Sequence, residues 1–593
     1  MRRREFIKLA AASAAITKST RAPGGPSNPY RPWLTPEEAP LPDWAQTGNF
    51  VFMGLDGGPL EAEKGLRSGW QGFTSDDPQG IVRAVREFYR PENVEIPIAA
   101  GANWVFLTWT NGWSKERERR DQWPLAARFL QECRRRGIHV SAYISGANMF
   151  WEDYLERVPE SRKWIETGSP SYIRHYGNSL YRVMANLKLP AWREEIKTAI
   201  SAALEAGVEG FWMDNLFWWH GESLFLDFMR EMRAHAARRR SNLVWHANVN
   251  RGVYNWGRAG NVVGTEDGRA PQFHPDRDPA ITGNLGLLSF LAGLKEEWRS
   301  AELEHYGNNL SAALRQLMIA ECWMWQVGCT WFPVDRLLQA QLHRREPAAW
   351  EIFQAMGVYN RHQLKYREFF QTAKPVANVG LVGHPGSSGE DLESQIHTQR
   401  GQTELIELLD RLAGWGVQYE VLFEDRLQPE PLKRFSLVVM PDPEHLPQGA
   451  AESLSLYVRS GGNLIAPESA RHVFKNGQVI LLPDTAFQAK GTPQLLRNTI
   501  RRYQAPLKVE VTAPSSVAYR ALRQRGRTVV HLVNYKMEPV APFTALYRGT
   551  AARAECLTPE EGRSRLLKLN SEREGILVSV PEFPIHSLLI FYD

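Results

Sequence analysis

Cysteine is nearly missing from this chain: there are four in 593 residues, Cys133, Cys322, Cys329 and Cys556, at spacings that fit no zinc or redox motif. A disulfide framework is therefore not expected, and a chain of this length needs none; Cys322 and Cys329, though near each other in sequence, are expected as buried free thiols. Beyond the N-terminus no run is apolar enough to cross a bilayer. A strong excess of one charge is also lacking. The formal net charge is +5, and much of that sits in the first few residues and in Arg134–Arg136 and Arg238–Arg240, which read as solvated helix ends. Without a basic face or a recognised module, nucleic acid is not an expected partner. There is no Gly-x-Ser-x-Gly elbow and no kinase motif set. Gly383-His384-Pro385-Gly386 does not have the spacing of a phosphate loop. No spacing of His, Asp or Glu marks a metal site, so neither metal nor cofactor is expected.

The most specific local signal stands at the start. Arg2-Arg3-Arg4-Glu5-Phe6-Ile7-Lys8, followed by the small apolar run Leu9–Ile16, has the form of a twin-arginine export signal. The apolar stretch is too short for a mature membrane span, and Ala12-Ser13-Ala14 offers a small-residue cleavage site. Residues 1–22 are assigned to this signal, which implies a periplasmic or extracellular protein with no membrane attachment once it is removed. The stretch 23–44, rich in Pro, Gly and Ser between Pro23 and Pro42, is expected to be a linker.

From residue 45 to about 372, apolar strand-like runs alternate with amphipathic helical patterns, as parallel β/α structure requires. The strands are expected at Phe50–Leu55, Trp104–Trp109, Val140–Ser145, Phe211–Asp214, Leu243–Asn248, Val262–Glu266 and Thr330–Val334. Leu125–Arg136 and Ala191–Ala206 are helices that end at Gly137 and Gly207. Such a series suits a (β/α)8 barrel whose remaining strand lies between Glu266 and Thr330. Residues 373–503 start a second βαβ series with strands at Val379–Val382, Tyr419–Leu422, Leu437–Met440 and Leu464–Ala466 and a helix at Glu404–Ala413. This is a doubly wound, flavodoxin-like pattern. It contains no cysteine, which removes an amidotransferase nucleophile. Residues 504–593 hold short, partly alternating runs at Lys508–Val511, Thr528–Val533, Leu577–Val580 and Ser587–Phe591, expected as a β-sandwich.

Chemistry concentrates in one segment, Gly207-Val208-Glu209-Gly210-Phe211-Trp212-Met213-Asp214-Asn215. A helix closes at Gly207, a short apolar strand follows, and the strand ends in an acid. The C-terminal strand ends of such a barrel face its active-site mouth, and an acid there is costly to bury without a partner or a task. Leu216-Phe217-Trp218-Trp219-His220 sets aromatic surface beside it, and Trp rings stack on sugar faces. A second acid ends Asn261-Val262-Val263-Gly264-Thr265-Glu266-Asp267-Gly268. Glu266 is the preferred inward residue, because Asp267 precedes Gly268 and suits a turn; period alone leaves both open. Glycosidic cleavage needs a proton donor and a second carboxylate as nucleophile or base. Asp214 and Glu266 are the expected pair. The other strand ends supply Trp109, Asn111, Asn148, His246, Asn248 and Asp335, which together with Asn186 and Trp218 make the polar and aromatic mixture a hydroxyl-rich ligand requires.

Ala185-Asn186-Leu187, Pro190-Ala191-Trp192-Arg193 and the segment ending Trp212-Met213-Asp214-Asn215 resemble the middle of barrel glycoside hydrolases of the alpha-galactosidase and alpha-L-fucosidase groups. Glu209 stands where the usual pattern has Asp. That resemblance implies Asp214 as nucleophile and Glu266 as acid/base of a retaining mechanism. The three-part layout is similar to family 42 beta-galactosidases, whose middle domain mediates trimerisation, which leaves a homo-oligomer, dimer or trimer, open. Those enzymes use two Glu residues, one after an Asn, and no such pair occurs here. The expectation is an exo-acting, retaining glycoside hydrolase of a divergent family acting on oligo- or polysaccharides. The alternative is a non-catalytic carbohydrate-binding protein on the same barrel, which need not keep both acids at catalytic distance.

Overall fold

The computed structural model describes residues 34–593 except 56–59, 61–76, 166–181, 217–220, 250–253, 296–297, 306–309, 332–335, 371, 384–391, 424–425, 444–445, 447 and 475–478. The signal of residues 1–22 and the first part of the expected linker thus lie outside the described residues, as do Trp218 and Asp335.

Eight parallel strands close into a barrel: β1 (Phe52–Leu55), β2 (Trp104–Thr110), β3 (His139–Ser145), β4 (Gly210–Asp214), β5 (Val244–Val249), β6 (Val262–Gly268), β7 (Ser300–His305) and β8 (Gly328–Trp331). Each pairs with its neighbours in sequence, and β1 closes on β8 through Phe52 opposite Thr330. The helices between them end as their sequences require. Pro190–Ala206 runs into Gly207 at φ +100°, a left-handed stop that only glycine adopts without strain. Trp123–Arg135 is followed by Gly137 at φ +75°.

Alternation along each strand sorts side chains between two layers. Val105, Leu107 and Trp109 of β2 point outward into the barrel–helix core, where the Trp109 ring stacks on Trp123 at 5.7 Å. Trp104 and Phe106 point inward and join Phe50, Phe52, Trp212, Val244 and Val262 in an apolar plug at the barrel floor. The end of the expected linker covers that floor rather than hanging free. Arg299 donates to the Leu34 carbonyl at 2.6 Å, Asn261 to the Ala39 carbonyl at 3.2 Å, and Ala45 is fully buried.

The strand that sequence could not locate is β7, Ser300-Ala301-Glu302-Leu303-Glu304-His305. It alternates with period two, but with its polarity reversed: Ala301 and Leu303 face the helix layer, while Glu302 and Glu304 face the barrel interior, both fully buried.

The second domain is a five-stranded parallel sheet of β9 (Val379–Val382), β10 (Tyr419–Leu422), β11 (Leu437–Val439), β12 (Asn463–Pro467) and β13 (Val479–Leu482). Its spatial order, 10-9-11-12-13, is the flavodoxin-like arrangement. Its fifth strand, β13, was not anticipated, and the helix expected at Glu404–Ala413 is the end of a longer one, Leu392–Gly414. The C-terminal domain is a sandwich of a six-stranded and a four-stranded sheet closed over a core that includes Val530, Leu532, Phe543, Val578 and Leu589. No helix among the described residues is long and apolar enough to cross a membrane. All four cysteines are free, three of them buried and Cys329 half-buried.

Candidate active site

β4 delivers Asp214 to the barrel mouth because Gly210-Phe211-Trp212-Met213 fills two apolar layers and leaves the fifth residue at the rim. The chain then leaves through Asn215 at φ +58°, a left-handed conformation that Asn tolerates better than most residues. Asp214 is half-buried. Its Oδ2 accepts from the Tyr143 hydroxyl at 2.6 Å and its Oδ1 from Asn248 Nδ2 at 2.9 Å. Asn215 Nδ2 donates in turn to Tyr143 Oη and to Ser145 Oγ, each at 3.0 Å. Three neighbouring strands, β3, β4 and β5, therefore fix the orientation of one carboxylate.

The same Asn248 amide also donates to Glu266 Oε1. Two oxygens held by one nitrogen lie within two hydrogen-bond lengths of each other, about 6 Å at most. Glu266 turns into the mouth; Asp267 turns away from it, accepting from Tyr254 at 2.7 Å and from Thr265 at 3.2 Å. Asp214, Asn248 and Glu266 thus form one connected set on β4, β5 and β6.

Beneath them, fully buried, lie His246, Glu302 and Glu304. His246 Nε2 stands 3.1 Å from Glu302 Oε1 and 3.9 Å from Glu304 Oε1, and the Trp212 indole donates to Glu304 Oε1 at 2.9 Å. Burial, reinforced by the carboxylates of Glu302, Glu266 and Asp214, pushes the Glu304 carboxyl well above the usual range. Glu302 and Glu304 were missed because β7 was missed.

The other expected site residues are placed differently. Trp109 belongs to the outer core, since it sits on the outward phase of β2. Asn111 lies at the rim, its backbone N–H held at 2.9 Å by Glu118, which also takes Thr110 at 2.8 Å and the buried Lys115 at 2.9 Å. Asn148 is fully buried in a short hairpin, where Arg182 donates to it at 2.9 Å. Asn186 makes a local turn, accepting from the Lys188 backbone at 2.9 Å. None of these four makes a described contact to the Asp214–Glu266 pair.

Two groups bring metal-type donor atoms within 4.8 Å of one another among the described residues: His246, Glu302 and Glu304, and His305, Cys322 and Cys329. Neither has a spacing visible in sequence, because each is assembled from separate elements.

A cleft of about 720 Å³ opens beside the carboxylate pair rather than over it. It lies between the β6 rim at Tyr254, Asp267 and Arg269 and the second domain at Ile406, Asp410 and Lys490.

No family model and no curated protein sequence matches the chain. Solved structures do. The chain is similar to alpha-L-fucosidase isoenzyme 2 from Paenibacillus thiaminolyticus at 9% identity and TM-score 0.64, covering 85% of this chain and 96% of that one. It is similar to the beta-galactosidase from Bacillus circulans sp. alkalophilus at 11% identity and TM-score 0.58, covering 91% and 99%. A GH42 beta-galactosidase from G. stearothermophilus aligns at 10% identity and TM-score 0.59, covering 92% and 98%. The likeness is one of fold. It spans all three domains and agrees with the barrel, flavodoxin-like and β-sandwich layout expected from sequence.

Proposed function

We propose that this chain is a glycoside hydrolase with Asp214 as nucleophile and Glu266 as acid/base. The observation that carries the proposal is the Asn248 amide bridging both carboxylates at the C-terminal mouth of the barrel. A bridge of this length supports the short separation used for a covalent glycosyl intermediate, and retention of configuration is proposed on that basis. Tyr143 and Asn248 hold Asp214 by both oxygens, which fixes its approach to an anomeric carbon. The fold shared with a fucosidase and with beta-galactosidases supports a carbohydrate substrate. The second domain flanks one side of the rim at Asp267 and Arg269, and exo-action is proposed together with the activity.

The deciding experiment pairs aryl glycosides with the wild type and Asp214→Asn, together with trapping by a 2-deoxy-2-fluoro glycoside. The expected result is turnover by the wild type, loss in the variant, and a glycosyl adduct on the peptide carrying Asp214. Equal turnover by the variant, or an adduct elsewhere, overturns the assignment. A wild type that binds sugars but cleaves none would instead mark a binding protein.

We also propose twin-arginine export. Replacing Arg3 and Arg4 together by lysine should retain the protein in the cytoplasm, as read by fractionation; unchanged export refutes it.

A further inference from the structure

The His246–Glu302–Glu304 group under the carboxylate pair is unusual for a barrel interior. All three side chains are fully buried. Both ring nitrogens of His246, both oxygens of Glu302 and Oε2 of Glu304 have no hydrogen-bond partner of acceptable geometry. Buried polar atoms are nearly always paired, and here the one described side chain from outside the group that donates into it is the Trp212 indole. The donors nonetheless converge. His246 Nε2 is 3.1 Å from Glu302 Oε1 and 3.9 Å from Glu304 Oε1. Nitrogen and oxygen ligands at ~2.1 Å from one tetrahedral or octahedral ion are separated by about 3–3.5 Å.

Two further details fit. Gly264 of β6 faces the group, and a Cβ there would lie 2.2 Å from both Glu302 Oε1 and His246 Nε2. Only glycine leaves room for those donors to meet. The Trp212 indole donates to Glu304 Oε1 at 2.9 Å, the kind of outer hydrogen bond that orients a ligating carboxylate. The other donor group lacks this signature, because Cys322 Sγ already approaches His305 Nε2 at 3.7 Å and the two cysteines contact each other.

We propose that His246, Glu302 and Glu304 bind a divalent transition-metal ion of the zinc class at the floor of the candidate active site. One imidazole with two carboxylates suits such ions better than calcium or magnesium, which take oxygen ligands alone. The ion sits below Asp214 and Glu266 and neutralises the acids beneath them. The proposal goes beyond the glycosidase reading and does not require it.

The test is elemental analysis of the full chain purified without chelator, with melting measured before and after chelation and on adding back Zn2+ or Mn2+. The expected result is a stoichiometric ion, a fall of several degrees in Tm on chelation, and recovery on adding the metal. Glu302→Gln, which keeps the volume and removes one ligand charge, should be folded but lose the ion and the Tm response. Asp214→Asn should keep both, so a failure of the catalytic assignment stays separate from a failure of this one. No ion in the wild type together with no Tm response to either metal overturns the proposal. So would full metal content in Glu302→Gln.

Discussion

The barrel and the second domain are both parallel sheets wrapped by helices, yet their strands carry different chemistry. In the second domain β9 reads Val-Gly-Leu-Val and β11 reads Leu-Val-Val, buried throughout. The acid on its neighbouring strand β10, Glu420, is matched by Arg434 in a bidentate pair at 3.0 and 2.6 Å. In the barrel, the floor is equally apolar, but the upper half holds Asp214, Asn248, Glu266, His246, Glu302 and Glu304 with no cation from Lys or Arg among the described partners of the two buried acids. A sheet with only a structural role fills its interior with side chains that need nothing from outside. Glu302 and Glu304 have no Lys or Arg match of that kind among the described residues, and it is beside them that the proposed ligands are placed.

Substitutions in each region should separate these roles. In the barrel, Asn248→Ala removes the only described group that touches both carboxylates. Turnover should fall by about 10²–10³-fold, the usual loss of one preorganised donor, with Tm nearly unchanged. Steady-state kinetics on the best aryl glycoside read this, and a loss under tenfold would show that the bridge does not position the pair. In the second domain, Leu437→Ala removes a fully buried side chain from a central strand. It should lower stability by about 2–5 kcal/mol while kcat of the folded fraction holds. Chemical denaturation with activity at matched folded fraction tests it; a large fall in kcat would mean that the second domain shapes the site.

The same contrast decides what could be read from the chain. Strands whose inward residues are apolar were legible, as was Asp214, because an acid interrupts an otherwise apolar run. β7 was not, because inward acids break the rule that hydrophobic phase marks the core. Its signal was present as the alternation Ala301, Leu303 against Ser300, Glu302, Glu304, with the apolar phase facing the helices. Trp109 misled for the opposite reason: its place at a strand end suggested the rim, but its phase is outward, and the bulge at Thr108–Thr110 lies next to it. Asn248 was anticipated as a sugar contact, whereas the structure shows it joining two carboxylates, a relation between strands that no spacing encodes. Asn148 and Asn186 are held by hairpin and turn contacts of the same non-local or backbone kind.

The two joints that attach the barrel to its neighbours extend the comparison to pH. At the second domain, Asp410 caps the helix Leu285–Leu294, accepting from the Gly286 and Gly283 backbone at 3.2 and 3.4 Å. Burial raises its carboxyl to about 7 against those bonds. A raised acid binds its proton more tightly folded than unfolded, so its contribution is complete below about pH 4 and is lost as pH rises toward 7. At the sandwich, Trp323 meets the rings of His362 and His586, and His531 lies 3.3 Å from His586. Burial depresses His362 to about 4 and His531 to about 3. Their contribution is complete above pH 6.5 and is lost as pH falls through that range. The joints therefore titrate in opposite directions. Asp410→Asn keeps one acceptor for the helix end but cannot ionise. It should raise stability above pH 7 by on the order of 1 kcal/mol, a Tm shift of roughly 2 °C, and leave the acid limb unchanged. His531→Asn should act on the acid limb alone. Tm profiles from pH 4 to 9 that move together in both variants would show that neither joint responds through the group named here.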